Sequence, residues 1–210
     1  MSAAIAVLAL TQSAAAQQAA YASATAEVSR SLSTQAIECL HRGEDGISTE
    51  SRLAAYRQGL DLARRAVAAD DQNADAHFAL FANNGRILLL EGETPNPINL
   101  LNANRELERA LELDPNHSDA LAAKGGLYRQ LPRLLGGNLT KAESCLTRSI
   151  EVDPNAVGAR IELAQTYRDM GEPERGLPLL QTAAQIAERM GKFRQLAEAR
   201  SLLQNWDSSH

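Results

Sequence analysis

Aromatic side chains are scarce, with Phe, Tyr and Trp together supplying 4% of the 210 residues. Sandwiches and barrels draw on branched and aromatic residues, whereas the Ala and Leu abundant here favour helices packed through small side chains. An all-α fold is therefore expected. Basic charge is also short: 21 Lys and Arg stand against 26 Asp and Glu, a net charge of -5. That leaves no cationic field for a phosphate backbone and argues against nucleic acid as a partner. The four histidines, His41, His77, His117 and His210, include no two at metal-ligand spacing, and no cysteine stands near enough to complete a site. No metal and no cofactor are expected. Gly136-Gly137 lacks the Gly-Lys-Ser/Thr continuation of a phosphate loop, and the acidic pairs Glu106/Glu108 and Glu172/Glu174 read as solvated helix charges. The chain is not expected to be an enzyme.

Long hydrophobic runs are missing too. The apolar run Ala3 to Leu10 is too short to span a bilayer, so stable membrane insertion is not expected. It is followed by Ala14-Ala15-Ala16 before Gln17, a small-x-small pattern that resembles the end of a secretory signal peptide over residues 1–16. The first 26 residues carry no charge, so the positive n-region of such a leader is absent. The reading is nevertheless an exported, periplasmic protein, and a cytoplasmic one if the segment is not a leader. Two cysteines, Cys39 and Cys145, are separated by 105 residues. They fall on helices of the first and third units described next, each helix adding roughly 8–10 Å, and a bridge needs Cα atoms within about 7 Å. Two unpaired thiols are expected.

What the chain does contain is a repeated mark. Ala110-Leu111-Glu112-Leu113-Asp114-Pro115-Asn116 is answered by Ser149-Ile150-Glu151-Val152-Asp153-Pro154-Asn155, and more weakly upstream by Ala66 to Asn73, with Asp71 in place of Pro. Each reads as a last helical turn running into a polar turn, because Pro cannot continue a helix and disfavours helical geometry before it. Helical apolar spacing follows each mark, at Asp75 to Leu90, Asp119 to Leu131 and Gly158 to Met170.

Ala159, Leu163, Ala164, Tyr167, Gly171, Gly176, Leu180 and Ala183 fall at the spacing of the 34-residue tetratricopeptide motif, and the chain resembles that family most over residues 74–187. The resemblance implies an α-α superhelix of about four helical hairpins, near residues 17–69, 74–113, 118–151 and 157–187, with a capping helix at 191–205. It also implies close helix contacts at Ala164 with Gly176 and at Gly125 with Ala142. In the second unit Ala103 fits the corresponding pair but Phe81 does not. Ala66, Ala110, Ser149 and Ala183 would admit the next unit. The first unit is degenerate, with helices near Ala20 to His41 and Glu50 to Ala69. In the cap, Phe193, Leu196, Ala199, Leu202 and Leu203 share one face, and Trp206 is placed to seal the end.

Spacings of 44 residues from Asp71 to Pro115 and 39 from Pro115 to Pro154 exceed the 34-residue unit. The surplus falls between the helices of a unit, in Glu91-Gly92-Glu93-Thr94-Pro95-Asn96-Pro97 and in Leu131-Pro132-Arg133-Leu134-Leu135-Gly136-Gly137-Asn138. Leu-Pro, then Leu-Gly-Gly, then a helix with Lys141 and Ala142 is similar to two divergent tetratricopeptide groups: the exported T-component of tripartite periplasmic transporters, and the regulator-of-microtubule-dynamics type. The first resemblance implies homo-oligomerisation and a ligand- or partner-binding cavity. Equally, Leu131, Leu134 and Leu135 could plug the core beneath a long turn.

The resemblance places the first helix of each unit on a concave face. Its inward positions are Asp75, Phe78, Ala82, Gly85 and Arg86 in the second unit, then Asp119, Ala122, Gly126, Arg129 and Gln130, then Gly158, Ile161, Gln165, Arg168 and Asp169. Phe78 and Ile161 would offer apolar contact. Arg86, Arg129 and Arg168 would form either a cationic ladder for an acidic ligand or a row of solvated helix-end charges. The expected partner-binding residues are Asp75, Phe78, Arg86, Arg129, Gln130, Ile161, Gln165, Arg168 and Asp169. The function read from the sequence is a scaffold receiving a peptide or protein in the groove. The alternative is a periplasmic transport accessory binding a small ligand within an oligomer.

Overall fold

The computed structural model describes the backbone of residues 2–92 and 97–206 and the side chains of 16–92 and 104–206. Among the described residues there are nine α-helices, one 3-10 turn and no strand: α1 Ser2–Glu44, α2 Thr49–Ala69, α3 Ala74–Glu91, α4 Pro97–Leu113, α5 Ser118–Gln130, the 3-10 turn Arg133–Leu135, α6 Leu139–Val152, α7 Val157–Asp169, α8 Pro173–Arg189 and α9 Phe193–Gln204. Consecutive helices pair as α1 with α2, α3 with α4, α5 with α6 and α7 with α8, and α9 packs on α8. The architecture is a helical superhelix of four hairpins with a final capping helix.

The repeated mark forms one turn three times. Asp70, Asp114 and Asp153 each end a helix with a backbone N–H bonded four residues back, to Ala66, Ala110 and Ser149. The same aspartates accept with Oδ1 from the backbone N–H two residues on, at Gln72, Asn116 and Asn155, over 2.8–2.9 Å. Asp70 therefore does in the weak copy what Asp114 and Asp153 do in the strong ones, with or without Pro at the next position. The residue closing each turn starts the next helix: Asn73 caps α3 and His117 caps α5 through side chains that accept from Ala76 and Ala120, while Ala156 precedes α7 without a side-chain bond. An N-terminal side chain of this kind satisfies donors a helix would otherwise leave open.

Small residues set the helix spacing. Ala66, Ala110, Ser149 and Ala183 are fully buried. A Cβ on Gly125 would stand 2.5 Å from Leu146 Cγ and 3.2 Å from the Ala142 carbonyl, and one on Gly176 would stand 2.8 Å from the Ala164 carbonyl. Trp206 covers the last unit, its ring against Gly176 and its indole N–H donating to Pro173 O at 3.1 Å. Ala103 lies among the residues whose side chains are not described; Phe81 is half-buried against the cluster built on Leu40, Tyr56 and Leu107.

Four expectations change. α1 runs from Ser2 and not from Ala20, and of the leader expected at 1–16 the side chains of 1–15 lie outside the described residues, as do residues 93–96 of the first long loop. In the second loop Leu134 is 99% exposed and Leu135 is exposed as well, so they plug nothing. That loop is ordered by bonds from Gly137 N to Pro132 O and from Asn138 N to Tyr128 O, with Gly136 at a φ of 98°. Phe193 is 77% exposed and does not share the buried face of α9. Glu106 and Glu108 are engaged across helices: Glu106 meets buried His77 Nδ1 at 2.7 Å, and Glu108 pairs with buried Lys124. Cys39 and Cys145 are both free.

Candidate functional site

The first helices of the hairpins pack in pairs, α1 on α3 and α5 on α7. Phe78 and Ile161, expected to offer apolar contact there, are instead core residues, 6% and 2% exposed. Their helices rotate them inward because each completes an apolar cluster: Phe78 with Leu40, Tyr56 and Leu107, Ile161 with Leu180, Ala183 and Leu196. Phe78 also stacks on His117, ring centroids 4.9 Å apart. The remaining expected positions, Asp75, Arg86, Arg129, Gln130, Gln165, Arg168 and Asp169, are all polar.

Arg86 Nη2 bonds Glu44 Oε1 of α1 at 2.6 Å. Arg129 Nε bonds Glu162 Oε2 at 2.8 Å and its Nη1 bonds Asp169 Oδ2 at 3.2 Å, both on α7. Burial alone would lower the Arg129 guanidinium, and its two carboxylate partners outweigh that and raise it. Arg168 lies over the Trp206 ring, 5.2 Å from the centroid. The three arginines are thus each engaged, on an acid or on an aromatic face. They tie neighbouring helices together, and the free cationic ladder among the sequence expectations is not what they form.

Asp75, Gln130 and Asp169 are exposed, and Gln165 is half-buried. Asp75 stands in the first turn of α3, its Oδ1 3.1 Å from His117 Nε2, and that close approach holds the carboxyl below the ordinary range, with partial burial opposing. The inner surface also has space built into it: a Cβ on Gly85 would meet nothing within 4 Å. Arg194 of α9 reaches back to the end of α1, its Nη1 3.5 Å from the backbone carbonyl of Glu44. This contact is unforeseen from sequence.

α6, α7 and α8 frame an open apolar groove of about 470 Å³ with Ile150, Leu163, Pro178 and Leu179 in its walls. Tyr167 lies at its floor and donates to Glu143 Oε1 at 3.0 Å, with Arg175 above the ring. Among the described residues no three His, Cys, Asp or Glu side chains converge as a metal site, and no helix is long and apolar enough to cross a membrane.

The family description of the TRAP transporter T-component matches residues 4–186. No protein of curated function matches. Among solved structures, PilF of Pseudomonas aeruginosa is similar with a TM-score of 0.52 and 18% identity, over 87% of this chain and 78% of that one. TTC0263, a thermophilic TPR protein of Thermus thermophilus, is similar with a TM-score of 0.49 and 18% identity, over 83% and 92%. The PilF likeness shows a shared tetratricopeptide-type fold.

Proposed function

We infer that this chain, which belongs to the T-component family of TRAP transporters, is a non-enzymatic accessory protein that holds another component of such a transporter against its concave face. The observation that carries the reading is the match over residues 4–186, which spans the four hairpins and therefore concerns the whole repeat and not one motif. The periplasm is the compartment that follows from this reading, in keeping with the leader-like start.

The face suits a polar protein segment. Arg86, Arg129, Arg168, Asp75, Gln130, Gln165 and Asp169 set donors and acceptors of both signs along it, with the arginines fixed by pairing to neighbouring groups. A partner meeting groups already held in place gives up less side-chain entropy on binding. Phe78 and Ile161 serve this surface from beneath, by fixing the helices that carry it.

A second reading, a small ligand held inside an oligomer, is favoured by the family match itself. Affinity capture of co-expressed TRAP transporter subunits by the tagged chain separates the two. Retention of a transporter subunit after dialysis supports the protein-partner reading. A chain that retains no subunit but gains thermal stability with a small carboxylate supports the second reading and sinks the first.

A further inference from the structure

The second long loop is ordered and yet apolar at its tip. Its 3-10 turn, Arg133–Leu135, is held by backbone bonds from Leu135 N and Gly137 N to Pro132 O, from Gly136 N to Arg133 O and from Asn138 N to Tyr128 O, all within 2.8–3.1 Å. These bonds leave Leu134 99% and Leu135 65% exposed. Ile47 and Leu89 are exposed singly, which is ordinary for a protein surface, whereas here two leucines stand side by side on a fixed backbone. A segment held in this way gives up little entropy when a partner covers it. Arg133, the one charged residue in 131–138, is exposed next to them.

The groove between α6, α7 and α8 has the opposite character, concave and apolar, with acidic charge at its edges. Ile150, Leu163 and Leu179 form its walls, and exposed Thr147 and Pro178 line it as well. Arg175 at one side is shared by two carboxylates, Glu143 at 2.8 Å and Glu172. Glu151, which also lines the groove, pairs with Arg148. Three carboxylates thus stand against two guanidiniums, a surplus of one negative charge that matches the single cation of the loop. The two surfaces cannot meet within one chain. α6 lies between them, and from Leu139 to Ile150 it spans roughly 16 Å, while Asn138 ties the loop back to Tyr128 of α5.

We propose that the Leu134-Leu135 loop of one copy of this chain seats in the α6-α7-α8 groove of the next copy, with Arg133 against the surplus carboxylate. The contact joins two different surfaces, so copies add head to tail, in a ring or a row, and do not form a symmetric pair. Homo-oligomerisation is an expectation carried by the resemblance; what the geometry adds is the pair of surfaces and their order. Neither the concave face nor a transporter subunit takes part.

Sedimentation velocity of the whole chain across the micromolar range measures the association, with helicity of each variant confirmed by circular dichroism. The unaltered chain is expected to form multiples of its own mass. Leu134→Asp/Leu135→Asp removes the loop's apolar tip, and Thr147→Arg/Pro178→Arg fills the groove and repels Arg133; all four positions are exposed, so both variants keep the fold. Each alone is expected to sediment as a single chain. Mixed in equal amounts they are expected to form a two-copy complex and nothing larger, because one intact groove meets one intact loop. Arg133→Glu is expected to weaken association by about tenfold or more. An unaltered chain that stays single at every concentration, a double variant that keeps the parent's mass, a mixture without the two-copy species or an Arg133→Glu variant that associates as the parent does overturns the contact. Any of these results leaves the proposed function standing, and failed capture of a transporter subunit leaves the contact standing.

Discussion

At the scale of single residues, charge is used to join helices. Arg129 is the clearest case, a mostly covered guanidinium shared by Glu162 and Asp169. Arg129→Met keeps much of the stem and removes both bonds, leaving two carboxylates side by side. The expected cost is about 1–2 kcal/mol in urea unfolding, reduced from that of a buried pair because Asp169 is exposed. An unchanged midpoint would show that the bonds are ornamental. Asp75 allows a pH test. Its carboxyl is lowered from 3.8, first by the approach of His117, so the stability it contributes is present above 3.8 and is lost as pH falls through the lower, folded-state value. Asp75→Asn should remove that part of the acid limb of a thermal-melt profile below pH 4 and leave the remaining limb in place. A mutant profile parallel to the parent's across this range would contradict the assignment.

At the scale of elements, glycines on different helices have opposite expected effects. Gly125→Ala and Gly176→Ala each gain helix propensity, up to about 1 kcal/mol, but their methyl groups would press on Leu146 and on the Ala164 carbonyl and Trp206 ring. Overpacking of this kind costs about 1–3 kcal/mol, so both variants should be less stable. Gly85→Ala meets nothing within 4 Å and should be more stable by about 0.5–1 kcal/mol. Chemical denaturation of the three variants checks the order, and a stable Gly176→Ala would refute the close approach of α7 and α8. These contacts were legible because the tetratricopeptide resemblance implies Gly176 opposite Ala164 and Gly125 opposite Ala142. The Asp-Pro-Asn turns were legible from the residues themselves, since their chemistry is local. The burial of Phe78 and Ile161 was not, because a modest helix rotation decides whether an apolar side chain lines a groove or closes a core. Nor was the exposure of Leu134, which depends on where the 3-10 turn points. The acidic partners of Arg86 and Arg129 lie 33 to 42 residues away and carry no periodic signal.

At the scale of the whole molecule, four hairpins stack in chain order and a capping helix ends the stack, its Arg194 meeting the Glu44 carbonyl at the end of α1. Stacked hairpins of this kind bind through their concave side because it gathers side chains from successive units into one surface. On the proposed reading such a surface serves a transporter, and polar side chains along it suit a solvated protein segment. Obstructing the face without disturbing the core tests this. Gly85→Trp/Gln165→Trp fills the concave side where space exists, and Arg64→Trp/Gln181→Trp adds the same bulk on exposed positions of α2 and α8. The decisive measurement is the Kd of the captured transporter subunit for each variant by isothermal titration calorimetry, with helicity confirmed by circular dichroism. The concave pair should weaken binding by about tenfold or more, about 1.4 kcal/mol at least, and the outer pair should leave it within about twofold. Equal affinity for the concave variant and the unaltered chain, or a loss confined to the outer variant, would contradict the concave face as the binding surface.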